Sequence, residues 1–240
     1  MCGQCGCEPA TTETRMKPEA PVRTISVEEN IHQDNDRRAE NLRRRLGERG
    51  TLVINLMSSP GSGKTTLLEE TLKRSGGEAS VIVGDLQTDQ DAQRLRPYAA
   101  SVRQINTVHA CHLDATMIEE ELQQIAPAPL LFIENIGNLV CPASFDLGEH
   151  LRVALLSVCE GEDKPLKYPL LFHTADLVLV TKSDLIPHLD FDPELLRVNL
   201  EKVRPGRSKD VLMVSARTGE GMDAWMSRIT GQVELIRRSR

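Results

Sequence analysis

Residues 51–66 read Thr-Leu-Val-Ile-Asn-Leu-Met-Ser-Ser-Pro-Gly-Ser-Gly-Lys-Thr-Thr. The first half is an apolar, partly β-branched run suited to a buried strand, and the second is a small-residue turn opening a helix. Glycines at 61 and 63 let the backbone curl so that the amides of Gly61, Ser62, Gly63, Lys64 and Thr65 point at phosphate oxygens, and Thr66 is counted with them as nucleotide-binding. The helix N-terminus behind them adds partial positive charge. Lys64 then reaches the β- and γ-phosphates, and the Thr65 hydroxyl is placed to ligate Mg²⁺. The stretch departs from the usual G-x-x-x-x-G-K-[ST] pattern only in carrying Ser58 at the first glycine.

Outward from this loop, β-rich and helical segments alternate. Strands are expected at 51–58, 79–84, 101–106, 129–135, 151–158, 176–182 and 210–216, and helices at 64–74, 89–97, 113–125, 192–203 and 222–236. That alternation predicts an α/β fold, a mostly parallel P-loop sheet flanked by helices on both faces, over residues 51–240. Upstream, residues 25–50 read as a helix and linker, with Ser26 and Glu29 forming a capping box and a thin apolar stripe of Val27, Ile31, Leu42 and Leu46. Residues 1–24 lack periodicity and read as a flexible tail tipped by cysteines.

Composition narrows the classes. With 40% hydrophobic residues and a net charge of −6 across 240 residues, the chain is an ordinary globular protein without the basic excess of a nucleic-acid binder. No apolar run approaches the roughly 20 residues of a membrane span, and Met1–Ala10 has no secretory pattern, so a cytoplasmic location without membrane association is expected.

Ligands on such sheets bind at the carboxyl ends of the strands. There Thr181-Lys182-Ser183-Asp184 supplies a carboxylate that can accept from guanine N1–H and the 2-amino group, with the Lys182 stem along the base. Ser215-Ala216, at a later strand end, offers backbone amides to the guanine O6. The ligand is therefore read as GTP or GDP with Mg²⁺. Asp85 and Glu134 end strands near the γ-phosphate and read as the Mg²⁺ and water-orienting carboxylates; Asp91 is second to Asp85. Gly137 lets a switch backbone approach the phosphate. No arginine finger stands out, so slow intrinsic hydrolysis is expected.

The six cysteines fall into two groups. Cys2, Cys5 and Cys7 offer three thiolates around glycines, a set that suits Ni(II) or Cu(II) and for which Zn(II) competes; the alternative is a redox-active or merely tolerated tail. Cys111, His112 and Cys141 lie beyond strand ends and form an incomplete metal shell if they converge; the alternative is a buried cysteine and a surface histidine. Cys159 reads as core, and His32, His109, His150, His173 and His188 have no evident partner.

Taken together, the chain resembles the HypB-like nickel-incorporation GTPases of hydrogenase maturation, within the signal-recognition and MinD-related (SIMIBI) class. The similarity rests on C-x-x-C-G-C at the terminus, S-S-P-G-S-G-K-T-T, Gly84–Arg94, Cys111–Ala115, Glu134–Pro142, Gly161–Pro169 and T-K-S-D-L. The resemblance implies GTP hydrolysis coupled to Ni²⁺ delivery into the [NiFe]-hydrogenase large-subunit precursor, a HypA-like metallochaperone partner and a GTP-dependent homodimer. It also implies one nickel site at Cys2, Cys5 and Cys7, and a nickel or zinc site at Cys111, His112 and Cys141. The chain lacks the histidine-rich storage tract of many relatives and carries Thr181 where Asn is common. Leu185–Leu189 is read as a dimer contact or, equally, a buried loop. A urease-type nickel-insertion GTPase is the alternative, although its Cys-Pro-His element is here Cys141-Pro142-Ala143.

Overall fold

The computed structural model describes residues 22–85, 89–107, 111–207 and 210–238, with 22–29 described as backbone only. Its centre is a parallel sheet built from β1 (Leu52–Met57), β2 (Ala79–Asp85), β3 (Ser101–Asn106), β4 (Leu130–Glu134), β5 (Leu151–Ser157), β6 (Leu177–Thr181) and β7 (Val211–Val214), in the order β3-β2-β4-β1-β5-β6-β7. β1, β2, β4, β5 and β6 are almost wholly buried, as expected where helices cover both faces of a parallel sheet.

Alternation along β1 divides the core. Leu52, Ile54 and Leu56 pack with α2 (Lys64–Arg74) and α9 (Met222–Arg238), where Trp225 is fully buried and donates from Nε1 to Thr71 Oγ1 at 2.9 Å. Val53 turns to the opposite face, against α1 (Val22–Arg49) and α4 (Ala115–Leu122). A third cluster joins Met57, Leu156, Val178 and Val180 to α5 (Cys141–Ser144), α7 (Pro169–Thr174) and α8 (Pro193–Val203). Two short helices, α3 (Gln90–Leu95) and α6 (Lys164–Lys167), complete the set among the described residues.

Every expected strand forms, within two residues at each end. Ser26 does not start the helix: α1 is already helical from Val22, and the side chains of the expected capping box lie outside the described residues. The buried side of α1 is Asn35, Ala39, Leu42 and Leu46, whereas Ile31 is exposed. The helix therefore docks on α4 and β1 through a stripe shifted from the one read in sequence. Cys159 is also corrected. It sits exposed on a 3-10 turn, Val158–Glu160, because Ser157 caps that turn and ends β5 before it. Leu185 and Ile186, in a 3-10 segment, pack partly onto the core, while Leu189 is exposed.

Candidate functional site: a phosphate cradle beside a thiol pair

β1 ends at Met57 and α2 begins at Lys64, so the intervening loop closes over the helix N-terminus. Gly61 and Gly63 take φ of +74° and +95°, which side-chain-bearing residues rarely adopt. Ser58 is fully buried where glycine is usual, and its hydroxyl explains the exchange: it accepts from Lys64 Nζ at 2.9 Å, contacts Ser62 Oγ and donates to Ser59 O. The lysine is thereby held inside the cradle, and burial depresses its pKa. A cavity of about 530 Å³ opens here, bordered by the loop, Asp85, Asp91, Glu134 and Gly137.

The base side adjoins it as a cavity of about 210 Å³ between Gly63, Asp184 and Ser215. Lys182 adopts φ +60°, the only positive φ among described non-glycine residues, and its ammonium donates to Gly61 O at 2.8 Å. Its stem thus spans from the base loop to the phosphate loop. Thr181 repeats the tie, donating from Oγ1 to Ser62 O at 2.6 Å. Ser215 differs from expectation: its amide already donates to Glu220 O at 2.9 Å, so it is not free for a base oxygen. Its hydroxyl instead donates to Asp184 Oδ1 at 2.6 Å and orients that carboxylate. Ala216 lines the same cavity.

Glu134 is 3% exposed at the end of β4, and its Oε1 accepts from Thr65 Oγ1 at 2.7 Å. Its Oε2 is buried without a hydrogen-bond partner among the described residues. Burial pushes this carboxyl up to about 7, against the pull of Thr65 and Lys64. An orphaned carboxylate oxygen beside a threonine hydroxyl is an oxygen-rich, charge-deficient spot that fits a hard divalent cation such as Mg²⁺. Arg94, quoted in the Gly84–Arg94 motif but given no role there, also borders the cavity, held by Glu69 at 2.8 Å. Its signal was its place in α3, one helical turn after Asp91.

Gly137 presses on the phosphate loop so closely that a Cβ there would lie 3.1–3.2 Å from Pro60. The next residue, Asn138, accepts from Val140 N at 2.9 Å and donates to Cys111 O at 3.4 Å. Cys111 and Cys141 are thereby brought together, with their sulfurs 3.1 Å apart. The hydrogen bond to Cys141 and partial desolvation raise the Cys111 thiol pKa. His112 does not complete the group. Its Nδ1 is 3.7 Å from Cys111 Sγ and its ring stacks on Phe145 at 3.8 Å, with His32 of α1 at 4.8 Å from the same ring. Among the described residues no three His, Cys, Asp or Glu side chains are arranged to hold a metal ion. Cys2, Cys5 and Cys7 lie outside the described residues, as does His109. His150 and His173 do find backbone partners, Val53 N and Val203 O.

Residues 52–209 match the family model of the CobW/HypB/UreG nucleotide-binding domain. The chain belongs to this family. It is accordingly a P-loop GTPase, the reading that the cradle and the Asp184 pocket had already suggested. The hydrogenase maturation factor HypB of Azotobacter chroococcum is 51% identical over 214 residues, covering 88% of this chain and 70% of that protein. The hydrogenase/urease maturation factor HypB of Helicobacter hepaticus is 46% identical, covering 78% and 80%. A crystal structure of HypB from Helicobacter pylori in complex with nickel superposes with a TM-score of 0.77 at 37% identity, covering 84% of this chain and 95% of that one. No helix among the described residues is long and apolar enough to cross a membrane.

Proposed function

We propose that this HypB-family protein carries Ni²⁺ for the maturation of [NiFe]-hydrogenase and uses GTP to control when the ion is held or released. The observation that carries the reading is the meeting of Cys111 and Cys141 at 3.1 Å, on a segment whose Gly137 touches the phosphate loop. In it, Lys64 and the loop amides bind the phosphates, Asp184 selects guanine, and Asp85 orients the attacking water. Thr65 and Glu134 would hold Mg²⁺, which when bound neutralises charge developing between the β- and γ-phosphates.

The cargo ion takes Cys111 and Cys141 as ligands, with His112 recruited by turning off Phe145. Two thiolates and one imidazole leave a position open, which a second copy of the chain fills in a GTP-dependent homodimer. Cys2, Cys5 and Cys7 form a separate nickel site, and Zn²⁺ competes for both. A HypA-like metallochaperone and the hydrogenase large-subunit precursor are the partners at the two ends of delivery. Loss of the γ-phosphate shifts Gly137 and with it Cys141, so ion affinity and nucleotide state influence each other reciprocally. The relative named for both hydrogenase and urease keeps urease maturation as the second reading. Nickel titration into the GDP form and the GTP-analogue form tests the proposal. Different affinities, both abolished by Cys141→Ser in a chain lacking Cys2, Cys5 and Cys7, support it, and equal affinities refute it.

A further inference from the structure

β1 is apolar except at Asn55, which is fully buried in the centre of the sheet. A buried amide is tolerated only when both of its ends are bonded. Asn55 Oδ1 accepts from Asn135 Nδ2 at 3.2 Å, and Asn55 Nδ2 donates to Glu149 Oε1 at 3.3 Å. Asn135 is itself buried directly after β4, and its Oδ1 accepts from Ile136 N at 2.9 Å. At the other end the buried Glu149 accepts from Arg152 Nε at 2.6 Å and from Leu147 N at 2.7 Å. The Arg152 guanidinium then donates to Ala143 O at 3.5 Å and Phe145 O at 3.3 Å.

This line of bonds begins at Ile136 and finishes at Ala143 and Phe145. Those are the two ends of one segment, and between them lie Gly137, on the phosphate loop, and Cys141, in the thiol pair. A loop fastened at one end absorbs a displacement in its own torsions; fastened at both ends to one buried polar network, it shifts as a unit. We infer that the Asn55–Asn135 amide pair, anchored on Glu149, is a positioning relay that makes residues 136–145 respond to nucleotide as one body. The inference rests on the proposal that nucleotide state governs the Cys141 segment.

The test is hydrogen exchange on the full chain, with GDP and with GTPγS, for the wild type, Asn55→Ala and Asn135→Ala. In the wild type, amides 136–138 and those of 141–145 other than Pro142, which has no amide hydrogen, both change protection when the nucleotide is exchanged. In Asn55→Ala the 136–138 response and GTPγS affinity persist, while the 141–145 response falls by about tenfold. Asn135→Ala, which also frees Ile136 N, loses at least as much, and the double variant loses no more than Asn135→Ala alone, because both substitutions break the Asn55–Asn135 bond. Circular dichroism melts confirm that each variant is folded; if Asn55→Ala is not, Asn135→Ala carries the comparison alone. An unaltered 141–145 response in the folded variants, or none in the wild type, overturns the relay. A wild type whose 141–145 protection changes while its nickel affinity ignores the nucleotide removes the cargo reading instead, and leaves the relay supported.

Discussion

Replacing Glu134 by Gln isolates the cost of the buried carboxylate beneath the phosphate cradle. Burial raises this carboxyl from its usual 4.5 to about 7, and a tenfold change in proton affinity is worth about 1.4 kcal/mol. The folded pKa lies above the unfolded one. The stability it contributes is therefore complete below about pH 4.5 and is lost as pH rises through about 7. Glu134 alone should thus cost the nucleotide-free protein about 3 kcal/mol between pH 4.5 and pH 8. Gln cannot ionise, and its carbonyl can still accept from Thr65. Urea titrations at pH 5, 6, 7 and 8, with chelator and without nucleotide, measure the stability difference between variant and wild type; other titrating groups cancel in it. The difference should climb in favour of Glu134→Gln as pH rises, whereas Mg²⁺ should tighten GTPγS binding far less in the variant. A difference that stays level from pH 5 to pH 8 would show that Glu134 is not held in a desolvated site, and the Mg²⁺ assignment would go with it.

Asp184→Asn should move preference from GTP towards xanthosine triphosphate by roughly 1–3 kcal/mol, since the proposed role of this carboxylate, which Ser215 orients, is to accept from two base donors; competition binding with both nucleotides decides, and an unchanged ratio removes Asp184 from the base pocket. Trp225→Phe should lower stability by about 1–3 kcal/mol, because it leaves a gap and strips Thr71 Oγ1 of its donor in a closed core; thermal melts reporting no loss would contradict that packing. Replacing Cys2, Cys5 and Cys7 by Ala should reduce the number of nickel ions bound and leave GTP turnover intact, and an equal fall in both would refute the separation of the two sites.

The parallel sheet was legible because its signals are local. Buried strands advertise themselves by apolar runs, and the Gly61–Thr66 loop by residue types that only a curled, phosphate-facing backbone requires. Glu134 and Asp184 were legible as candidates for the same reason: Glu134 ends β4, and Asp184 follows three residues after β6. The misreadings share a cause as well. The docked side of α1 depends on which residues α4 and β1 present to it, so Ile31 and Asn35 exchanged the roles their hydrophobicity suggested. Cys159 looked like core because the strand before it is apolar, but Ser157 caps a turn that carries it out to solvent. Ser215 kept its place and changed its task, since Glu220 had already engaged its amide.

From the order of residues alone came the strand–loop–helix unit and the candidate phosphate, base and thiol positions. Each follows from chemistry confined to a few neighbouring positions. The folded chain alone decided that Asn55 is bonded at both ends to residues 80 and 94 positions away, and that His112 rests on Phe145 while Cys111 reaches Cys141. It likewise left Glu134 with an oxygen that no described residue satisfies. Burial and partner geometry are sums over distant segments, and no short window of sequence contains them.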